Sequence, residues 1–133
     1  MALTMSKDQI QSFTHLQGHQ YMSLTTFRKT GQAVPTPVWF AQSGENLYVM
    51  TGAESGKVKR IRSNAQVEVA PCTRSGDILG PSAEAAARIL SPEEAALAKR
   101  ALDQKYGMQK KFFDLMGRMR GDQSVYLEIT PMS

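Results

Sequence analysis

Two prolines set two residues apart in a strand-like run, Val34-Pro35-Thr36-Pro37-Val38-Trp39, constrain the fold more than any other feature of this chain. Proline has no N–H to give to a neighbouring strand, and in an extended chain residues two apart point their nitrogens the same way. One side of this strand therefore lacks two ladder donors and cannot be paired normally. Either the strand is a plain sheet edge, or it lies against something that is not protein, such as the edge of a planar ring. Trp39 faces oppositely to Val38 and belongs to a core or an interface.

Strand and turn signals surround it. Residues 21–27 are β-branched, aromatic and apolar; Lys29-Thr30-Gly31-Gln32 turns the chain, residues 34–41 return, and Ser43-Gly44-Glu45-Asn46 turns it again into a strand over 47–51. A β-meander is the simplest arrangement of these. Residues 66–72 form a further strand before the turn Arg74-Ser75-Gly76-Asp77. The segment 82–90, with its EAAARIL, has strong helix propensity, yet the family resemblance described below implies a barrel strand there, and we follow it because tertiary context overrides propensity. Residues 124–129 form the last strand.

Helices are expected at three places besides the one beginning near Ser55. Ser6 and Gln9 make a capping box before Ile10, Phe13 and Leu16, which predicts an amphipathic helix over 7–17 ended by Gly18. Ser91-Pro92-Glu93-Glu94 supplies a capping Ser, Pro at the first helical position and Glu at the third, starting a helix that runs to about Lys105 and stops at Gly107. Met108, Phe112, Leu115, Met116 and Met119 recur at helical spacing and predict another amphipathic helix, broken by Arg120-Gly121-Asp122.

At 133 residues the chain should be one domain, 1–133, that buries about two thirds of its unfolded surface. A lone Cys72 cannot form an internal disulfide and reads as a small buried hydrophobe. Together with a start that has neither a basic nor an apolar leader region, and with no bilayer-length apolar run, this predicts a soluble cytoplasmic protein without membrane partners. No Cys/His/carboxylate cluster has ligand spacing, so no metal is expected, and there is no Walker loop and no G-x-G-x-x-G. His15 and His19 read as polar surface residues.

The net charge of +4 favours an anionic partner, and four of the sixteen Lys and Arg fall within Lys57 to Arg62. They open a short helix after Thr51-Gly52-Ala53-Glu54-Ser55-Gly56-Lys57. A strand-terminal hydroxyl, free backbone N–H groups and the positive end of a helix dipole together suit a phosphate. Lys57 in the first turn reaches the anion and Arg60 lies on a neighbouring face. Val58 and Ile61 face the core, Lys59 and Arg62 face solvent, and Glu54 points away. An ordinary basic surface helix is the alternative.

The ordered run YMSLTTFRKTGQAVPTPVWF, NLYVMTGAESGKVKRIRSN, VEVAPCTRSGDILGPSAEAAARIL and KYG resembles the flavin-binding split β-barrel superfamily of the pyridoxamine 5'-phosphate oxidases. Within it the chain is similar to the deazaflavin (coenzyme F420) dependent oxidoreductases. The resemblance implies a mainly β fold with peripheral α-helices, a split β-barrel of the FMN-binding type with about six antiparallel strands. It implies a homodimer with cofactor sites at the subunit interface, and hydride transfer between the deazaflavin C5 and a small unsaturated organic substrate. A proton would come from solvent or a weak acid such as a Tyr. The cofactor-binding candidates are Thr36, Pro37 and Val38 beside the ring, with Met50, Thr51, Ser55, Gly56, Lys57 and Arg60; no catalytic residue is assigned. FMN is the alternative cofactor, since both end their ribityl chain in phosphate, and a flavin or haem carrier without turnover is the alternative function. F420 adds an anionic tail that Arg28, Lys29, Lys110 and Lys111 would suit. Nucleic acid is not expected as a partner, because the aromatics beside these cations fit core periodicity.

Overall fold

The computed structural model describes residues 13–107 and 124–132. Seven strands form one antiparallel sheet: β1 (Tyr21–Phe27), β2 (Ala33–Trp39), β3 (Ala41–Ser43), β4 (Asn46–Gly52), β5 (Gln66–Cys72), β6 (Ala83–Ile89) and β7 (Ser124–Pro131). Helices α1 (Gly56–Ser63) and α2 (Ala95–Tyr106) complete the described elements with a 3-10 turn at Thr14–Leu16.

The sheet order is β2-β1-β5-β6-β7-β4-β3, so its two edges, β2 and β3, are consecutive in the chain and separated only by Phe40. A flat sheet of this width would hold its edges about 29 Å apart at about 4.8 Å per strand. Trp39 and Ala41 can be no more than about 7.6 Å apart. The sheet must therefore curl until its edges meet, and β2 comes up against β4 across an unpaired seam. This is the split β-barrel.

The expected meander is thereby corrected. β1 and β2 pair, and β3 and β4 pair, but the two hairpins lie at opposite edges of the sheet. The single strand expected over 34–41 is likewise divided at Phe40. Helix α2 is the cause. The Tyr106 hydroxyl accepts the Phe40 N–H at 3.3 Å and lies against the carbonyls of Phe40 and Gln20, the latter at 2.9 Å. The Lys105 ammonium donates to the carbonyls of Phe40 at 2.9 Å and His19 at 2.6 Å, and sits 3.8 Å from the Phe40 ring centre. Backbone groups that would have continued the ladder are bound by a helix instead.

Two cores result. Met22, Leu24, Val38, Leu47, Val49, Val67, Val69, Leu127 and Ile129 fill the barrel, while Tyr48, Met50, Leu90, Ala98, Leu102 and Tyr106 pack between the sheet's outer face and α2. The segment 82–90 is a strand as expected. Ala83, Ala85 and Ala87 are buried in the barrel and Glu84 and Arg88 are exposed, a period of two that pairing with both β5 and β7 enforces. The capping box at α2 also forms: Glu94 Oε1 accepts the Ser91 N–H at 3.0 Å, although the helix begins only at Ala95 and residues 92–94 are a turn.

At the start of the described chain no helix runs through Phe13, whose φ of 60° is left-handed. Only the 3-10 turn follows, with Phe13 and Leu16 buried as anchors. The rest of the helix expected over 7–17, and all of the one expected at 108–119, lie outside the described residues.

Lys105 makes the seam pH-sensitive. Its side chain as a whole is exposed, but two carbonyls and ring faces cover the ammonium, and desolvation lowers its pKa to about 8 from 10.5. The unfolded chain keeps that proton to the ordinary value. Between pH 8 and about 10 the unfolded state therefore binds more protons, and the Lys105 contribution to stability rises with pH. Lys105→Arg stays charged throughout and should lack this slope. Urea titrations of both proteins at about pH 8 and 9.5 should show the wild type gaining relative to the variant; a constant difference would place the ammonium in water.

Candidate functional site

The inward row of β4 runs Leu47, Val49, Thr51, so the strand delivers a buried hydroxyl to the end of the barrel. After Gly52 the chain turns, with the Ser55 N–H on the Gly52 carbonyl at 3.1 Å. Ser55 then caps α1: its Oγ accepts the Val58 N–H at 3.4 Å and lies 3.4 Å from Thr51 Oγ1. Val58 and Ile61 are buried, at 0% and 4% exposure, and fix the helix to the barrel. Lys59, Arg62 and Glu54 are exposed, as expected.

Arg60 folds back over the first turn of α1. Its Nε donates to Thr26 Oγ1 at 2.6 Å, and a Cβ on Gly56 would lie 2.7 Å from its Nη1. Lys57 is half-buried beside it, its pKa lowered by desolvation and then by the charge of Arg60. Among the described residues the ion pairs are those of Arg88 with Glu94 and Glu128, so neither cation has a carboxylate partner. Two like charges brought together at a helix N-terminus, with no counter-charge among the described residues, suit an anion.

The structure thus brings Thr51, Ser55, Gly56, Lys57 and Arg60 into one cluster. Thr36 and Val38 lie on the row that leads to it: β1 pairs with β2 as Thr26↔Val34, Leu24↔Thr36 and Met22↔Val38, and cross-strand partners share a face. Pro37 is on the opposite, exposed face, and with Pro35 it lies on an edge strand, where a missing N–H costs no pairing. Met50 is placed apart from the cluster. Its side chain is buried on the outer face with Tyr48, Trp39 and Tyr126.

Thr26 was missed in the sequence. The signal is a hydroxyl at the third inward position of a strand whose other inward residues are Met22 and Leu24, and it is fully buried. His15 is a correction of another kind: both ring nitrogens are shielded from solvent, and burial lowers its pKa, opposed by the neighbouring Val69 backbone. Cys72 is buried, and desolvation raises its thiol pKa.

Gly56 gives a direct test of the Arg60 geometry. Gly56→Ala should keep or slightly raise stability, by up to about 1 kcal/mol, because alanine restricts the unfolded chain and suits a helix. The new methyl would displace the guanidinium, so affinity for a phosphate-bearing ligand should fall by about three- to tenfold. Unchanged affinity would show that Arg60 has no fixed place over the turn.

No curated protein matches the chain. Among solved structures it is similar to HutZ, the haem storage protein of Vibrio cholerae, at 14% identity and TM-score 0.67, covering 91% of this chain and 87% of that one. It is similar also to an FAD-binding protein of Mesorhizobium loti at 19% identity and TM-score 0.67, covering 97% and 91%. An F420 reductase superposes with TM-score 0.57 at 18% identity, covering 90% and 92%. These likenesses establish the split-barrel fold. A family model described as pyridoxamine 5'-phosphate oxidase matches residues 6–132, and the chain belongs to that family.

Proposed function

We propose that the protein is a coenzyme F420-dependent oxidoreductase transferring hydride to a small unsaturated organic substrate. The observation that carries this reading is the pairing of Lys57 and Arg60 over the N-terminus of α1, with no acidic partner among the described residues. That pair would hold the cofactor phosphate with the Ser55 and Thr51 hydroxyls and the first-turn amides. Thr36 and Val38, on the same inward side, would border the ring, with the Pro37 backbone at the open edge. The ring itself supplies the hydride when bound. Thr26 orients Arg60, and the barrel end keeps the ring against an apolar wall.

A second copy of the chain would cover the exposed side of the ring in a homodimer. The similarity to an F420 reductase supports the deazaflavin; that to an FAD-binding protein keeps FMN or another flavin as the alternative. The likeness to a haem storage protein favours one second reading, a carrier that binds without turnover. Among the described residues no helix is long and apolar enough to cross a membrane.

Titration of the protein with F420 and, separately, FMN, followed by cofactor fluorescence, should show saturable binding with F420 preferred. Anaerobic addition of enones and quinones to the reduced complex should give protein-dependent reoxidation. Failure of both cofactors to bind would overturn the reading, and binding with every acceptor excluded from the ring would leave the carrier.

A further inference from the structure

We propose that a cleft on the opposite side of the barrel from the cradle is a second ligand site, for a small organic carboxylate with an apolar body. The cleft lies between the 3-10 turn, the Phe40 crossing and the C-terminal half of α2, and measures about 510 Å³, within the usual range for small-molecule sites. Leu16, Phe40 and Ala41 are buried and make its floor. Gln17, Gln104 and Lys105 stand at its rim. It shares no residue with the Thr51–Arg60 cradle, and the inference is independent of the function proposed above.

The rim chemistry sets the class of ligand. Lys105 commits two of its three N–H groups to the carbonyls of His19 and Phe40, and it has no carboxylate within ion-pair distance among the described residues. With the Phe40 ring centre 3.8 Å away and no third acceptor among the described residues, the positive charge itself is left for a ligand at the rim. The side-chain amides of Gln17 and Gln104 make no hydrogen bond to another described residue, so each can donate to a carboxylate oxygen, while Gln42 is engaged with the Gly44 carbonyl at 3.4 Å. One cation with flanking amides suits a single negative charge, in contrast to the two adjacent cations of the cradle. The buried floor suits a ring or short alkyl body.

The test is an NMR titration of the full chain with benzoate, in parallel with benzylammonium and inorganic phosphate. Benzoate should shift the amide signals of Gln17, Phe40, Gln42 and Gln104 saturably, and benzylammonium should not. Gln104→Glu places a like charge at the rim of an exposed helix position, and it should leave the spectrum dispersed while weakening benzoate binding at least about tenfold. Lys105→Met should also lose benzoate, but its carbonyl bonds help hold the Phe40 crossing, so Gln104→Glu is the deciding variant. No saturable shift, equal shifts with benzylammonium, benzoate shifts confined to Gly56, Lys57 and Arg60, or full benzoate affinity in Gln104→Glu would each overturn the site.

Discussion

Replacing both Lys57 and Arg60 with alanine should weaken binding of F420 or FMN by about a hundred- to ten-thousandfold while leaving the fold intact. Each cation offers a charge-assisted hydrogen bond worth about 1.5–3 kcal/mol, and the two act on the same phosphate. Stability should change little, because the native state gives these groups little to lose. Lys57 is desolvated and repelled by Arg60, so its removal relieves a cost, whereas loss of Arg60 leaves the buried Thr26 hydroxyl without that donor. The control is Lys59→Ala with Arg62→Ala, which removes the same charge from exposed positions of the same helix. Equal losses from the two double variants in a fluorescence titration would mean a diffuse basic surface in place of a directed cradle. At high salt the loss in the control should shrink further while that of the Lys57/Arg60 pair largely persists, since exposed charges are the more easily screened.

Much of this arrangement could be read from local pattern. Val58 and Ile61 as the buried face of α1 and the outward placement of Lys59 and Arg62 follow from helical spacing alone, and all are found. β6 is harder: its alanines favour a helix and only the family resemblance points to a strand, whose period of two shows in the burial of Ala83, Ala85 and Ala87 beside exposed Glu84 and Arg88. What local pattern could not carry was anything decided by closure of the barrel. The hydroxyl that orients Arg60 comes from 34 residues away, and the groups that break the chain at Phe40 come from 66 and 65 residues away. The meander was the natural arrangement for hairpins taken one at a time. It fails because consecutive strands β2 and β3 became the two edges of a curled sheet, a relation that no window of sequence displays. The prolines did announce an edge, and the structure places that edge at the seam beside the cradle row.

Tyr106 is the residue on which that seam most depends, and its two functions can be separated. The ring is almost wholly buried, at 1% exposure, and packs 4.7 Å from the Trp39 ring, while the hydroxyl takes the Phe40 N–H and lies against two carbonyls. Burial raises the phenol pKa, so the hydroxyl stays protonated and can donate to one carbonyl while accepting from the Phe40 amide. Tyr106→Phe keeps the ring and strands the buried Phe40 N–H, for an expected loss of about 1–3 kcal/mol. Tyr106→Ala also opens a cavity under Trp39 and should cost about 3–5 kcal/mol. Urea unfolding gives the totals, and Trp39, the single tryptophan of the chain, reports locally by its fluorescence. The decisive measurement is amide exchange in Tyr106→Phe. If the hydroxyl holds the crossing, exchange should quicken at Phe40 and along β2 and β3, with β5 and β6 protected as before. A loss spread evenly over all strands would show that Tyr106 only fills space, and the break at Phe40 would then need another cause.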